Sequence, residues 1–175
     1  MSSSGFAAGQ IEELLVDLAT RAAVDGRTGA IRVVGGSAIA LMNADRRATH
    51  DIDAVLAPAD QLLDIAHDMA RLRGLRHDWL NDAVKGFVPP VGAEDWVEIH
   101  RVGDVSVSIG SPEMLLAMKL YANRGIRDTE DIEYLLGVCE ITSLAQAQEI
   151  YERYHAQDVI TDSASLRIQA WLDAR

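Results

Sequence analysis

Two short stretches carry the residues that could do chemistry. Gly35-Gly36-Ser37 is followed, after thirteen intervening residues, by Asp51-Ile52-Asp53. Two glycines behind an apolar run let backbone approach a ligand closely. Amides opening a helix just after them are a natural place for a phosphate. Side chains two apart on a strand point the same way. Asp51 and Asp53 would then set two negative charges on one face, which repel unless a cation sits between them. Mg²⁺ takes oxygen ligands and is usually held by one or two carboxylates plus substrate phosphates. Taken singly, each feature has an ordinary reading: a Gly-Gly turn is common, and an Asp-x-Asp at a strand end discourages sheet pairing. In this order and spacing they describe a site for a metal-bound nucleoside triphosphate.

The elements that must position these residues follow from periodicity. Ile11, Leu14, Leu15, Leu18, Ala19 and Ala22 recur at helical spacing, predicting a helix over 10–24. Ala30 to Val34 is short, apolar and β-branched, so it reads as a buried strand ending at the glycines. Ser37 is expected to cap a short helix over 38–42. Residues 43–50 read as a polar loop, Asp51 to Leu56 as a second strand, and Pro58 as the start of a helix to about Arg73. Trp79 to Phe87 reads as a short helix, with Trp79, Leu80, Val84 and Phe87 as core anchors. Trp96–His100 and Val105–Ile109 are spaced like a hairpin around Gly103-Asp104. Ser111 caps a strong helix with Pro112 in its first turn. From Thr129 the chain reads as helical throughout, jointed at Gly137, Thr142-Ser143 and 158–163. The prediction is an α+β fold: one domain with a small mixed sheet over about 10–110 and a helical part over about 111–175.

Composition bounds the rest. The 175 residues carry 16 basic against 27 acidic side chains, a net charge of −11, with 49% apolar residues. That suits a globular domain with a real core and excludes collagen, low-complexity disorder and a chain coated with positive charge. No apolar run approaches the ~20 residues of a membrane span. Met1 to Gln10 shows no signal-peptide pattern. Cys139 is the only cysteine, so no intrachain disulfide and no cysteine zinc cluster are expected. The expected location is cytoplasmic. The five histidines lack ligand spacing and read as surface or structural.

Lys119 lies in the apolar helical run Leu115 to Leu120. A lysine there either snorkels to water or meets an anion. Arg127 and Asp128 have a plain alternative as an ion pair on a solvated helix entry.

The motifs resemble those of the nucleotidyltransferase superfamily that includes polymerase β and the minimal nucleotidyltransferases. The order of Val33–Leu41, Arg47–Ala54, Asp78–Phe87, Ser111–Leu120 and Arg127–Ile132 is similar to an AbiEii-like branch of small bacterial nucleotidyltransferases, over roughly 10–155. The resemblance implies transfer of a nucleoside monophosphate from an NTP to an acceptor hydroxyl, with Mg²⁺. It implies Asp51 and Asp53 as metal ligands, and Gly35, Gly36 and Ser37 as the phosphate turn. Thr49 matches a small hydroxyl residue lining the site, Lys119 a triphosphate contact and Asp128 a later acid, with Asp131 a second candidate for that duty. Some relatives are toxins of toxin–antitoxin pairs, and some of those act on tRNA ends. The acceptor implied is therefore RNA, such as a tRNA end, or a protein, and an antitoxin is a possible partner. For a tRNA acceptor the available cations are Arg46, Arg47, Arg71, Arg73, Arg76, Lys85, Arg101, Arg124 and Arg127. One departure stands out. The strand expected to carry a third carboxylate reads Val105 to Ile109 with no acid, leaving Glu98 or Asp104 as substitutes. The alternative reading is a catalytically inactive nucleotide- or protein-binding module of the same fold.

Overall fold

The computed structural model describes residues 5–175. Met1 to Ser4, part of the segment read for a signal peptide, lie outside the described residues. The fold is α+β, with a five-stranded mixed sheet and helices. The chain divides into two compact units. One comprises the described residues up to Gly86 together with Trp96–Gly110; the other comprises Phe87–Asp95 and Ser111–Arg175.

In the sheet unit, α1 (Ala8–Val24) buries all six residues of its predicted apolar stripe. Strand β1 (Gly29–Val33) runs into α2 (Gly35–Met42), then β2 (Ile52–Ala57), α3 (Ala59–Arg73), the two-residue β3 (Leu80–Asn81) and the hairpin β4 (Trp96–Val102) and β5 (Val105–Gly110). The strand order is β3-β2-β1-β5-β4. β1 pairs antiparallel with β2 and parallel with β5, so β1 is the central strand. Alternation sends Ile31, Val33, Ala54, Leu56, Val107 and Ile109 to a buried face. His100, in register with Val107, meets Glu12 of α1 at 2.8 Å, which identifies that face as the helix-covered one. Arg32, Asp53, Val55, Ser106 and Ser108 alternate to the other face.

The stretch 79–87 is not the predicted short helix. Trp79 is fully buried and its indole N–H donates to the Ala66 carbonyl of α3 at 2.9 Å. Its own carbonyl accepts from Ile52 N at 2.7 Å, so the chain adds a strand to the sheet edge. The Asp82 carboxylate continues that edge by accepting from Leu56 N at 3.0 Å, and a 3₁₀ turn over Ala83–Gly86 follows. Of the four expected anchors Trp79 and Leu80 are buried, Val84 is half-buried, and Phe87 is 70% exposed.

In the helical unit, α4 (Pro112–Ala122) begins as predicted, with Ser111 Oγ accepting from Met114 N. α5 (Ile126–Val138), α6 (Leu144–Tyr154) and α7 (Asp162–Asp173) follow. Gly137 falls inside α5 instead of jointing it. Asn123, in the left-handed region at φ 37°, ends α4 and donates to Thr161 and Ser163 at the start of α7. No helix among the described residues is long and apolar enough to cross a membrane.

Candidate functional site

The glycine turn and the aspartates come together in the sheet unit. α2 begins at Gly35, earlier than predicted, with Val34 as its cap residue. The first amides of a helix have no acceptor within it, so those of Gly35, Gly36 and Ser37 are the ones that face a ligand. Ser37 is not the cap. It is buried within the first turn, and its hydroxyl donates to the Asp51 carbonyl at 2.8 Å. Val34 N donates to the Asp53 carbonyl at 2.9 Å. These two bonds lace the start of α2 to the start of β2, which explains why the two motifs lie a loop apart in sequence.

Asp53 lies in β2, whereas Asp51 occupies the bend just before it, so only the second acid is strand-borne. Both are half-buried. Asn81, in register with Asp53 across the sheet edge, donates from Nδ2 to Asp53 Oδ1 at 3.0 Å. Asp53 Oδ2 lies 3.2 Å from where a Cβ on Gly35 would stand, and Gly35 has φ +64°. Gly35 is therefore required twice: for a backbone that L side chains rarely adopt, and for room beside the carboxylate. A Cβ on Gly36 would stand 2.7 Å from an Arg46 guanidinium nitrogen. Arg46 is brought there by a turn in which Asn43 Oδ1 accepts from Asp45 N and the Asn43 carbonyl from Arg46 N. The glycine pair thus has an acid on one side and a guanidinium on the other. Thr49 is pinned by paired backbone bonds to Phe6, and its hydroxyl lies 3.4 Å from the Asp51 carbonyl.

The other predicted residues belong to the helical unit. Lys119 does not snorkel. It is 5% exposed, and its Nζ lies 2.8 Å from Asp128 Oδ1 and 2.8 Å from Asp131 Oδ2. Nor does Asp128 sit on a solvated face: it is fully buried, and its second oxygen accepts from Arg124 N at 2.9 Å and Nε at 3.2 Å. Burial alone would raise the Asp128 carboxyl; the hydrogen bonds and charges of Lys119 and Arg124 outweigh it and hold the group down at about 2.

Two residues of the site stand apart from the sequence motifs. Asn81 falls in the stretch read as a short helix, and the structure makes it a direct partner of Asp53. Arg32 was passed over as part of a buried strand, yet it is exposed on the sheet face that carries Asp53. The position across from it on β5 is Ser108, so no acid stands there. Glu98 pairs with Ser108 in register, and its carboxylate is held by Arg101. Among the cations expected for a tRNA acceptor, Arg71, Arg73, Arg76, Lys85 and Arg101 are each paired with acids of the sheet unit. His155 is stacked on Tyr121 and meets Tyr151 at a tilt, and burial lowers its pKa, which fits the structural reading given to it.

Residues 13–171 match the profile of a family described as a nucleotidyltransferase of unknown function, DUF6036. No curated protein and no solved structure matches the chain.

Proposed function

The chain belongs to this nucleotidyltransferase family, and from that premise we propose that it moves a nucleoside monophosphate from an NTP to an acceptor hydroxyl, with Asp51 and Asp53 as the metal-binding acids. The observation that carries this reading is the Asp53 carboxylate. It is set by Asn81 and lies 3.2 Å from the space of an absent Gly35 side chain, at the mouth of α2. A half-exposed carboxylate at a helix N-terminus, beside a cradle that any side chain would fill, would suit a divalent ion held by Asp51 and Asp53. Such an ion, when bound, neutralises charge on the phosphoryl oxygens and orients the attack.

The residues divide the remaining work. The amides of Gly35, Gly36 and Ser37 receive the phosphate oxygens. Asn81 fixes the orientation of Asp53. In the transfer, the acceptor oxygen bonds to the α-phosphorus, the bond to the β-phosphate oxygen breaks, pyrophosphate leaves and the hydroxyl proton is released. Lys119 and Asp128 take no part in the transfer, since the Lys119 ammonium is already shared between two buried carboxylates of the helical unit. With no acid on β5 and Glu98 engaged by Arg101, the proposal assigns no general base. Its absence predicts turnover slower by about 10²–10⁴-fold than with base assistance.

The acceptor proposed is RNA, a tRNA end in the first instance, with a protein hydroxyl as the other arm of the assay. The AbiEii-like resemblance further proposes a cytoplasmic toxin with an antitoxin partner, which growth arrest on expression would support. The test is incubation of the full chain with labelled NTPs, Mg²⁺ and total tRNA or protein. Label transfer lost in Asp53→Asn is the expected result; no transfer to either acceptor, with Asp53→Asn binding NTP as wild type does, defeats the reading. The acid-free strand β5 favours a second reading, nucleotide binding without turnover. Calorimetry would then show metal-dependent NTP binding, lost in Asp53→Ala, with no labelled product.

A further inference from the structure

The face of the sheet opposite α1 carries a second feature that the carboxylate chemistry does not use. Arg32 pairs in register with Val55 on one side and Ser108 on the other. Ser108 pairs with Glu98, and Gly110 with Trp96. Register partners share a face, as do residues two apart on a strand. Asp53, Arg32, Ser108, Glu98 and Trp96 therefore lie on one surface. The Arg32 guanidinium carbon sits 5.3 Å from the centre of the Trp96 ring.

Three observations set this pair apart from an ordinary surface contact. First, Arg32 is exposed on the central strand, with short serines or glycine along the neighbouring β5 positions of that face. Second, among the described residues no carboxylate pairs with Arg32. The one acid in its row, Glu98, is turned to Arg101, whose Nε donates to it at 3.0 Å. Third, the spacing suits one ligand spanning both features. Arg32 is a diagonal neighbour of Asp53, about 7–8 Å away along the backbone. The three strand gaps from β2 to β4 put Trp96 roughly 14 Å across the sheet. A nucleotide whose phosphates meet Asp53 and the α2 amides would carry its base toward Arg32 and Trp96.

We propose that the Arg32–Trp96 layer is the base-binding end of the nucleotide site, where the purine or pyrimidine ring of the NTP stacks against the guanidinium plane backed by the indole. This rests on the nucleotidyltransferase reading and adds the residues that grip the base. Flat cationic and aromatic groups stack on any nucleobase face, so the layer supplies affinity more than base identity.

The test compares two probes on the full chain, each with Mg²⁺: a non-hydrolysable NTP and inorganic tripolyphosphate. Arg32→Gln and Trp96→Leu are expected to weaken the NTP analogue about 10-fold or more and leave tripolyphosphate unchanged. Trp96→Phe, which keeps a ring, is expected to restore most of the loss. Unchanged melting temperatures exclude unfolding as the cause. An equal loss of both probes would make Arg32 a phosphate contact and overturn the proposal. Unaltered NTP affinity would reduce the pair to a cover for the sheet edge, and loss confined to a single-stranded RNA probe would move it to the acceptor; either outcome overturns it. The reading it rests on fails separately, if wild type and Asp53→Asn bind tripolyphosphate and Mg²⁺ alike.

Discussion

Two regions of this chain hold opposite charges close together, and they do so in opposite ways. At the glycine turn, Asp53 is half-buried, one of its oxygens is met by a neutral amide, and the neighbouring side chain is missing. In the helical unit, Lys119, Asp128 and Asp131 are 5%, 0% and 2% exposed and bind one another directly. A half-buried carboxylate oriented by an amide stays within reach of a ligand. A lysine shared by two buried carboxylates has spent its charge on the fold, and it releases that charge only if the cluster opens. The first arrangement suits chemistry and the second suits architecture, although both were marked as site residues by the same sequence resemblance.

Lys119→Met is expected to have the largest effect. It removes the cation that two buried acids share and is expected to cost about 3–5 kcal/mol of stability, seen as a large fall in melting temperature. A normal melt with lost NTP binding would instead make Lys119 a ligand. Asp53→Asn should do the reverse, lowering label transfer by about 10²–10³-fold while the melt stays within a degree or two of wild type.

Acid separates the regions next. The folded Asp128 carboxyl lies at about 2, below its ordinary 3.8. The stability it contributes is therefore complete above pH 4 and drains away as pH falls toward 2, by about 2 kcal/mol in total. Thermal melts from pH 6 to 2 should show that slope, and Asp128→Asn should flatten it.

Gly35→Ala forces φ +64° on a side-chain residue and crowds Asp53. It should cost about 1–2 kcal/mol and weaken metal-dependent nucleotide binding. Gly36→Ala meets only the movable tip of Arg46 and should perturb the melt less. The smallest expected effect is Asn81→Ala, which frees Asp53 to turn and should reduce transfer by about 10-fold at unchanged stability.

Much of the frame was legible because it rests on periodicity and punctuation. The stripe Ile11 to Ala22, the strand ending at Gly35, and Ser111-Pro112 at the head of α4 each state their element locally. The failures have a common cause. Residues 79–87 took a strand and a 3₁₀ turn because the Trp79 indole found an acceptor in α3 and its carbonyl a donor in β2, partners that no local pattern reveals. Lys119 was ambiguous in sequence because its two acids lie 9 and 12 positions onward, in another helix. Arg32 was hidden by its apolar neighbours: a run such as Ala30 to Val34 reads as buried on both faces, and only the structure shows Arg32 exposed between two buried residues. Ser37 looked like a cap because serine usually caps; the extra helical residues came from Gly35, which accepted a backbone geometry that a side chain would have resisted.

The Trp79 anchor has a mechanical meaning. Its indole hangs from the Ala66 carbonyl, its own carbonyl holds Ile52, and two residues further on Asn81 grasps Asp53. A helix on the oily underside of the sheet is thereby leashed to a carboxylate on the opposite surface. Loosening the packing around Ala66 should blur the aim of that acid, so metal affinity would register the slack before any unfolding curve did.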